Sequence, residues 1–374
     1  MKLLQEIGEM TNMKIEQKIP EGWCVKKIID VCPLQRGFDL PEQNIKNGKY
    51  PIVYSNGIKG THNEYKAIAP GVVTGRSGTI GKVTYVEQNY WPHNTSLWVT
   101  DFKGNNPKFI FYKLQNLNYA KFNSGSGVPT LNRNDVHIEK ILLPPLPEQE
   151  KIAGILSCWD DGIEKLSTLI EKKKIQKKAL MQQLLTGKHR LKGFSTPWHE
   201  KYLVDICDFN KGQQLNKADM LINGQYPVLN GGISYSGYTN DWNTKANMIT
   251  ISEGGNSCGF VSFIKEKFWC GGHCYSVFDI KTDTMFLYHL LKYNENSIMN
   301  LRVGSGLPNI QISSLYKFKV FIPSDIAEQK AIAEILSKAD EEIELLNKKL
   351  EAFKQEKKAL MQQLLTGKIR VKVN

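Results

Sequence analysis

The sequence predicts an α+β protein assembled twice: two globular α/β domains separated by two long antiparallel coiled-coil helices, with the halves related by a pseudo-twofold internal repeat. Three observations carry the prediction. The twelve residues Lys-Lys-Ala-Leu-Met-Gln-Gln-Leu-Leu-Thr-Gly-Lys occur at 177–188 and again at 357–368. Around each copy, apolar residues recur in alternating steps of four and three, the spacing of a coiled-coil seam. Upstream of each copy, short apolar runs alternate with turns rich in Gly, Asn and Ser, the pattern of strands in a mixed domain.

In chain order, residues 1–19 form an N-terminal segment containing Met10 and Met13, in which Glu6 and Glu9 interrupt any continuous apolar core of a signal peptide. The first globular domain, 20–145, has strand-like runs at 72–74, 81–86 and 96–99 and a helix near 107–118. Pro144, Pro145 and Pro147 then open a helical spacer at 146–190. Its seam runs through Ile152, Leu156, Trp159, Ile163, Leu166, Ile170, Lys173, Lys177, Leu180 and Leu184. The second domain, 191–324, repeats the runs at 248–252, 259–264 and 275–280, with a helix near 283–293. A second spacer, 325–374, starts at a capping box from Asp325 to Glu328, and its seam runs through Ile332, Leu336, Ala339, Ile343, Leu346, Leu350, Phe353, Lys357, Leu360 and Leu364. Gly187 and Gly367 stand where C-terminal caps belong. At 1.5 Å per residue each helix is about 60 Å long, more than a domain of this size needs for its own core.

The two halves align in strict register from 148 to 188 against 328 to 368, and more loosely upstream. Trp23 and Gly37 pair with Trp198 and Gly212, Tyr50-Pro51 with Tyr226-Pro227, and Gly57-Ile58 with Gly232-Ile233. His93 falls opposite His273, and Gly125-Ser-Gly-Val-Pro129 opposite Gly304-Ser-Gly-Leu-Pro308. The drift in offset marks loop insertions.

Charge is divided unevenly. The chain carries a formal +12, yet the first domain holds 15 Lys or Arg against 9 acids, and residues 191–327 hold 12 against 11. A basic excess on a globular domain suits phosphate contacts. The seven cysteines are scattered without a disulfide framework, and no run of 18 apolar residues occurs, so the expectation is a cytoplasmic protein. Cys258, Cys270 and Cys274 with His273 match no standard zinc spacing. Gly75-Arg-Ser-Gly-Thr-Ile-Gly81-Lys82-Val83 resembles a phosphate loop only superficially. Its Gly-to-Gly-Lys spacing is one residue too long, Val83 replaces the magnesium-binding hydroxyl, and the second copy has Phe260 in place of the lysine. It is better read as a turn between strands. No nucleophile elbow or paired-histidine metal motif is present in the sequence, so no catalytic or metal-ligating residue is nominated. The polar loops hold Asn56, Lys59, His62, Asn63 and Tyr65 in the first domain and Asn230, Tyr235, Tyr238, Asn240 and Trp242 in the second, types that contact bases and phosphates.

The stretch Leu143-Pro-Pro-Leu-Pro-Glu-Gln-Glu-Lys-Ile-Ala153, its echo Ile322-Pro-Ser-Asp-Ile-Ala-Glu-Gln-Lys-Ala-Ile-Ala333, the twin Ala-Leu-Met-Gln-Gln-Leu-Leu-Thr-Gly endings and the glycine turns resemble the DNA specificity subunits of type I restriction-modification systems. The resemblance runs from Trp23 to Lys368, with Ser324-Asp325 departing from the Pro-Leu-Pro element. It implies that each globular domain is a target recognition domain reading one half of a bipartite, asymmetric site in double-stranded DNA. The helices would set the gap and dock two modification (methyltransferase) subunits. S-adenosylmethionine would come with those subunits, and ATP and Mg with restriction (motor-nuclease) subunits; this chain would hold no cofactor, catalyse nothing and meet no membrane. Candidate DNA contacts are Arg36, Asn56, Lys59, Arg76, Lys82, His93, Asn94 and Ser124 in the first domain, and Lys211, Asn230, Asn256, His273, Arg302 and Ser305 in the second. A stand-alone DNA-binding regulator or a coiled-coil scaffold are the alternatives; the first does not need two long matched helices, the second does not need basic polar loops.

Overall fold

The computed structural model describes residues 19–122, 129–304, 306 and 308–373. Residues 1–18, residues 123–128 with Ser124 and the first Gly-Ser-Gly turn, and Ser305 and Leu307 of the second lie outside the described residues. The chain folds as two compact units, one made of Met1–Leu166 with Lys349–Asn374, the other of Ser167–Lys348. This division differs from the expected one, in which the helical spacers stand apart from the globular domains. Core packing is the reason: each globular portion closes over the near part of one long helix and the far part of the other.

In unit 1 the strands are β1 (Cys24–Lys27), β2 (Leu34–Arg36), β3 (Tyr50–Tyr54), β4 (Gly57–His62), β5 (Gly71–Gly75), β6 (Val83–Val86), β7 (Trp91–Pro92), β8 (Ser96–Val99) and β9 (Lys140–Leu143). They form a four-stranded sheet β2-β8-β5-β6, a three-stranded sheet β4-β3-β7 and the pair β1-β9. All neighbours are antiparallel except β3 and β7. β5 is buried along its whole length, which is why it reads as a continuous run of small and apolar residues. The helices are α1 (Ile28–Val31), α2 (Pro107–Gln115), α3 (Arg133–His137) and the start of α4 (Leu146–Leu184). The predicted helix near 107–118 is α2. Asn106 caps it by accepting the Phe109 amide at 2.9 Å, and Pro107 suits the first turn, where no amide donor is needed.

Unit 2 repeats the plan. Its strands are β10 (Trp198–Tyr202), β11 (Asp208–Lys211), β12 (Tyr226–Leu229), β13 (Gly237–Thr239), β14 (Met248–Ser252), β15 (Val261–Ile264), β16 (Trp269–Cys270), β17 (Cys274–Phe278) and β18 (Lys319–Pro323). The sheets are β11-β17-β14-β15, β13-β12-β16 and β10-β18, again with one parallel neighbour pair, β12 and β16. Its helices are α5 (Leu203–Ile206), α6 (Thr284–Tyr293), α7 (Glu295–Met299), α8 (Ile312–Tyr316) and the start of α9 (Ile326–Leu364). Asp283 caps α6 by accepting the Phe286 amide at 2.9 Å.

Both long helices have 39 residues, and none of the twenty predicted seam positions is exposed. The helical stretches in each unit run antiparallel. In unit 2 Lys177 pairs with Asp340 and Lys173 with Glu342 at 2.7 Å. In unit 1 Lys357 pairs with Asp160, and Trp159 meets Phe353 edge-on with ring centroids 5.3 Å apart. The three lysines that interrupt the apolar seam, at 173, 177 and 357, are therefore each neutralised across it. The core of unit 1 gathers Ile152 and Leu156 of α4 with Met361 and Leu364 of α9 around Val72, Phe109 and Leu131. That of unit 2 gathers Met181 and Leu184 with Ile332 and Leu336 around Ile249, Phe286 and Ile310.

The expected capping box at Asp325 to Glu328 does not form. Asp325 caps the helix through the Ala327 amide at 2.8 Å, but Glu328 is fully buried and accepts from Arg190 at 2.6 and 2.8 Å and from the Trp198 indole at 3.4 Å. Glu148 does the same in unit 1, bound by Arg370 at 2.7 and 2.8 Å and by Trp23 at 2.9 Å. A buried carboxylate needs charged partners more than the helix end needs a second cap. Gly187 and Gly367 have φ of +69° and +71° just beyond the helices, as C-terminal caps require.

Candidate nucleic-acid interface

In unit 1 the parallel pairing of β3 with β7 and the antiparallel pairing of β5 with β8 bring the ends of β3, β5 and β7 together. Thr95 ties them: its hydroxyl lies 3.0 Å from His93 Nδ1 and accepts the Ser55 amide at 3.3 Å, while its carbonyl accepts the Arg76 and Ser77 amides at 2.9 and 3.1 Å. Lys82 reaches across from the start of β6 to donate to the Asn56 carbonyl at 2.5 Å. Asp39 accepts from Asn94 and, at 3.4 Å, from Arg36. The Tyr54 and His93 rings stack at 4.2 Å. Arg36, Asn56, Arg76, Lys82, His93 and Asn94 thus meet at one edge, whereas Lys59 is exposed on β4 outside this bonded group. Burial holds the His93 imidazole below its usual value, with Asp39 pulling the other way, so at neutral pH it is a neutral hydrogen-bonding group rather than a phosphate-binding cation. Gly37 permits the close approach of β2 to this edge, because a Cβ there would collide with the carbonyl oxygen of His93.

In unit 2 the corresponding edge is a cavity of about 490 Å³ lined by Lys211, Asn230, Glu253, Ser257, His273 and Asn309, among others. Lys211 Nζ donates to Glu253 Oε1 at 2.6 Å, and the Tyr275 hydroxyl donates to the same oxygen at 3.2 Å. His273 Nδ1 lies 3.7 Å from Glu253 Oε2. Asn256 is exposed on the turn beside the cavity, between lining residues Gly255 and Ser257. Arg302 is exposed and acts on Cys258, whose thiol burial raises and Arg302 draws back down.

The structure corrects one pairing. His93 and His273 do not occupy equivalent positions. The amide-to-carbonyl bond His93 to Val53 at 2.9 Å has its counterpart in Gly271 to Leu229 at 2.9 Å, and Ser96 to His93 in Cys274 to Gly271. The strand registers agree, since Gly75 faces Ser96 and Ser252 faces Cys274. His93 therefore matches Gly271, and His273 matches Thr95. Among the loop residues, His62 is 4% exposed, accepts the Lys46 amide at 3.1 Å and packs edge-on against Trp91, so it is structural.

Sequence reasoning missed Glu253, which sits at the centre of the unit 2 edge. Its signal was available: it is the only charged residue in Glu253-Gly-Gly-Asn-Ser-Cys-Gly259. Cys258, Cys270 and Cys274 are buried, and no group of three or more His, Cys, Asp or Glu is arranged to hold a metal ion among the described residues. Nor is any described helix long and apolar enough to cross a membrane.

Comparison with known proteins places this arrangement. The chain is 37% identical over 157 residues to a provisionally named type I specificity subunit of Mycoplasma pneumoniae, a match spanning 41% of this chain and 42% of that relative. It is 28% identical across 99% of both chains to a provisionally named type I restriction enzyme specificity subunit of Methanocaldococcus jannaschii. Its fold resembles the crystal structure of a type I restriction-modification S subunit from M. genitalium, with a TM-score of 0.70, 20% identity, and coverage of 94% of this chain and 98% of that one. Residues 20–177 and 196–355 each match the type I restriction modification DNA specificity domain, and with two copies of it the chain belongs to that family.

Proposed function

We propose that this chain is the sequence-reading subunit of a type I restriction-modification complex. Unit 1 reads one half of a bipartite, asymmetric duplex target and unit 2 the other, and the paired stretches of α4 and α9 dock two modification subunits. Those subunits supply S-adenosylmethionine and the methyl transfer; motor-nuclease subunits supply ATP hydrolysis with Mg and cleavage, all in the cytoplasm. The chain itself recognises and positions. Arg36, Lys59, Arg76 and Lys82 suit phosphate and base contacts at the unit 1 edge, with Asn56, His93 and Asn94 as neutral readers; Lys211, Asn230, Asn256, His273 and Arg302 fill these roles in unit 2. Ser124 and Ser305 remain candidates on sequence grounds.

One observation carries this reading: two units of one topology present different side chains at equivalent edge positions. A common plan with diverged edges is what reading two different half-sites demands. The test is co-expression with a candidate modification subunit, followed by co-purification and mapping of methylated adenines in the host genome. A stable complex and a split motif with unequal halves are expected. A chain that purifies alone and binds DNA specifically would instead establish the stand-alone regulator, and a complex without any sequence preference would establish the scaffold.

A further inference from the structure

The bonds that fix the turn after β5 are repeated after β14. The Leu131 amide donates to the Arg76 carbonyl at 2.7 Å, and the Ile310 amide to the Glu253 carbonyl at 2.8 Å. The Arg76 amide donates to Thr95 and the Glu253 amide to His273, both at 2.9 Å. Arg76 and Glu253 therefore hold the same position in the two units, with opposite charge.

Glu253 is also incompletely bonded. It is 8% exposed, and while Oε1 takes both Lys211 and Tyr275, buried Oε2 has no hydrogen-bond partner among the described residues; His273 Nδ1 lies 3.7 Å from it. Asn230, lining the same cavity, has a buried Oδ1 that is likewise unpartnered. Both residues line one cavity, and neither buried acceptor finds a donor among the described residues, so each has capacity for one brought by a ligand. Their chemistry excludes a phosphate, which offers only acceptors. Lys211, with half of its side chain exposed, offsets the carboxylate charge at Oε1 and makes approach to a polyanion tolerable while Oε2 keeps its acceptor capacity.

We infer that Glu253 and Arg76 are specificity-determining residues at one shared register: Glu253 selects a base presenting an amino donor in the major groove, cytosine foremost, and Arg76 selects guanine. Carboxylates accept from the cytosine N4 amino group, and the arginine fork matches guanine O6 and N7. The inference rests on the DNA-reading role proposed above and adds which residue reads which class of base. Asn230 Oδ1 supplies the second acceptor beside Glu253, so the two share the donor or its neighbour on the next base pair.

The test uses the full chain assembled with its modification subunits and a randomised duplex library, with genome methylation as a second readout. Glu253→Gln, which keeps the side-chain shape, is expected to move preference at one position of one half-site from cytosine toward adenine by tenfold or more, leaving the other half-site unchanged. Arg76→Glu is expected to exchange guanine for cytosine at one position of the opposite half-site. Because Arg76 is only half-buried, that variant keeps the inference testable if the Glu253 variant does not fold. Unchanged motifs in folded, DNA-binding variants would overturn the inference and leave the proposed function standing. So would uniform loss of affinity for all sequences, which would make both residues general contacts. A wild-type complex with no split motif would instead overturn the proposed function itself.

Discussion

His289 provides a quantitative test of the fold. It is fully buried on α6, with Nε2 3.0 Å from the Ser337 hydroxyl, Nδ1 without a hydrogen-bond partner among the described residues and Asp340 Oδ2 3.8 Å away. Burial lowers its pKa from 6.5 to about 4, against a partial upward pull from Asp340. The folded value lies below the unfolded one, so between these limits the unfolded chain binds more protons. Stability in unit 2 therefore rises with pH across that window and is lost as pH falls through it. A shift of this size corresponds to about 2 kcal/mol lost between pH 7 and pH 5, and about 3 kcal/mol once both states are protonated. The matched residue of unit 1 is Tyr112, whose hydroxyl donates to Asp160 at 2.6 Å and meets Ser157 at 3.2 Å. His289→Tyr places a donor with no charge to gain at the same position, and His289→Gln serves as a smaller control. Urea unfolding at pH 7 and pH 5 should show the loss in the wild type and its reduction by about 2 kcal/mol in both variants. Parallel losses in all three proteins would refute the reasoning.

Arg370→Ala removes two charge-assisted bonds from Glu148, which is 3% exposed, and leaves it only the Trp23 indole; with the arginine itself 41% exposed, a loss of about 2 kcal/mol is expected by denaturant unfolding. Arg190→Ala should act equally through Glu328, and a change below about 0.5 kcal/mol in either would show that water replaces the arginine freely. Gly37→Ala and Gly212→Ala each drive a methyl group into a backbone carbonyl, of His93 and of Gly271, and should cost about 2 kcal/mol or more in thermal unfolding. An unchanged Tm would mean that β2 or β11 shifts without penalty.

The helices were legible in the sequence because their signal is local. A seam repeating every three and four residues fixes which face is covered, and no seam position from Ile152 to Leu184 or from Ile332 to Leu364 is exposed. The strands at 72–74, 96–99 and 248–252 were legible for the same reason, and so was the glycine turn between β5 and β6. The short β7 and β16 were not, since two residues carry no period. The candidate edge was legible only in part: Arg36, Asn56, Arg76, Lys82, His93 and Asn94 converge, but the histidine pairing failed because a two-residue difference in loop length is invisible until carbonyl partners are assigned.

By itself the sequence determined duplication, the two heptad helices and the concentration of basic excess in the first globular stretch, because repeats, periods and charge are properties of the chain read in order. Tertiary structure alone decided which helix ends complete which core, as in Arg370 with Glu148, partners 222 residues apart. It alone decided that Glu253 stands where unit 1 has Arg76. These are contacts between distant segments, set by packing and hydrogen-bond satisfaction across whole sheets, and no local pattern encodes them.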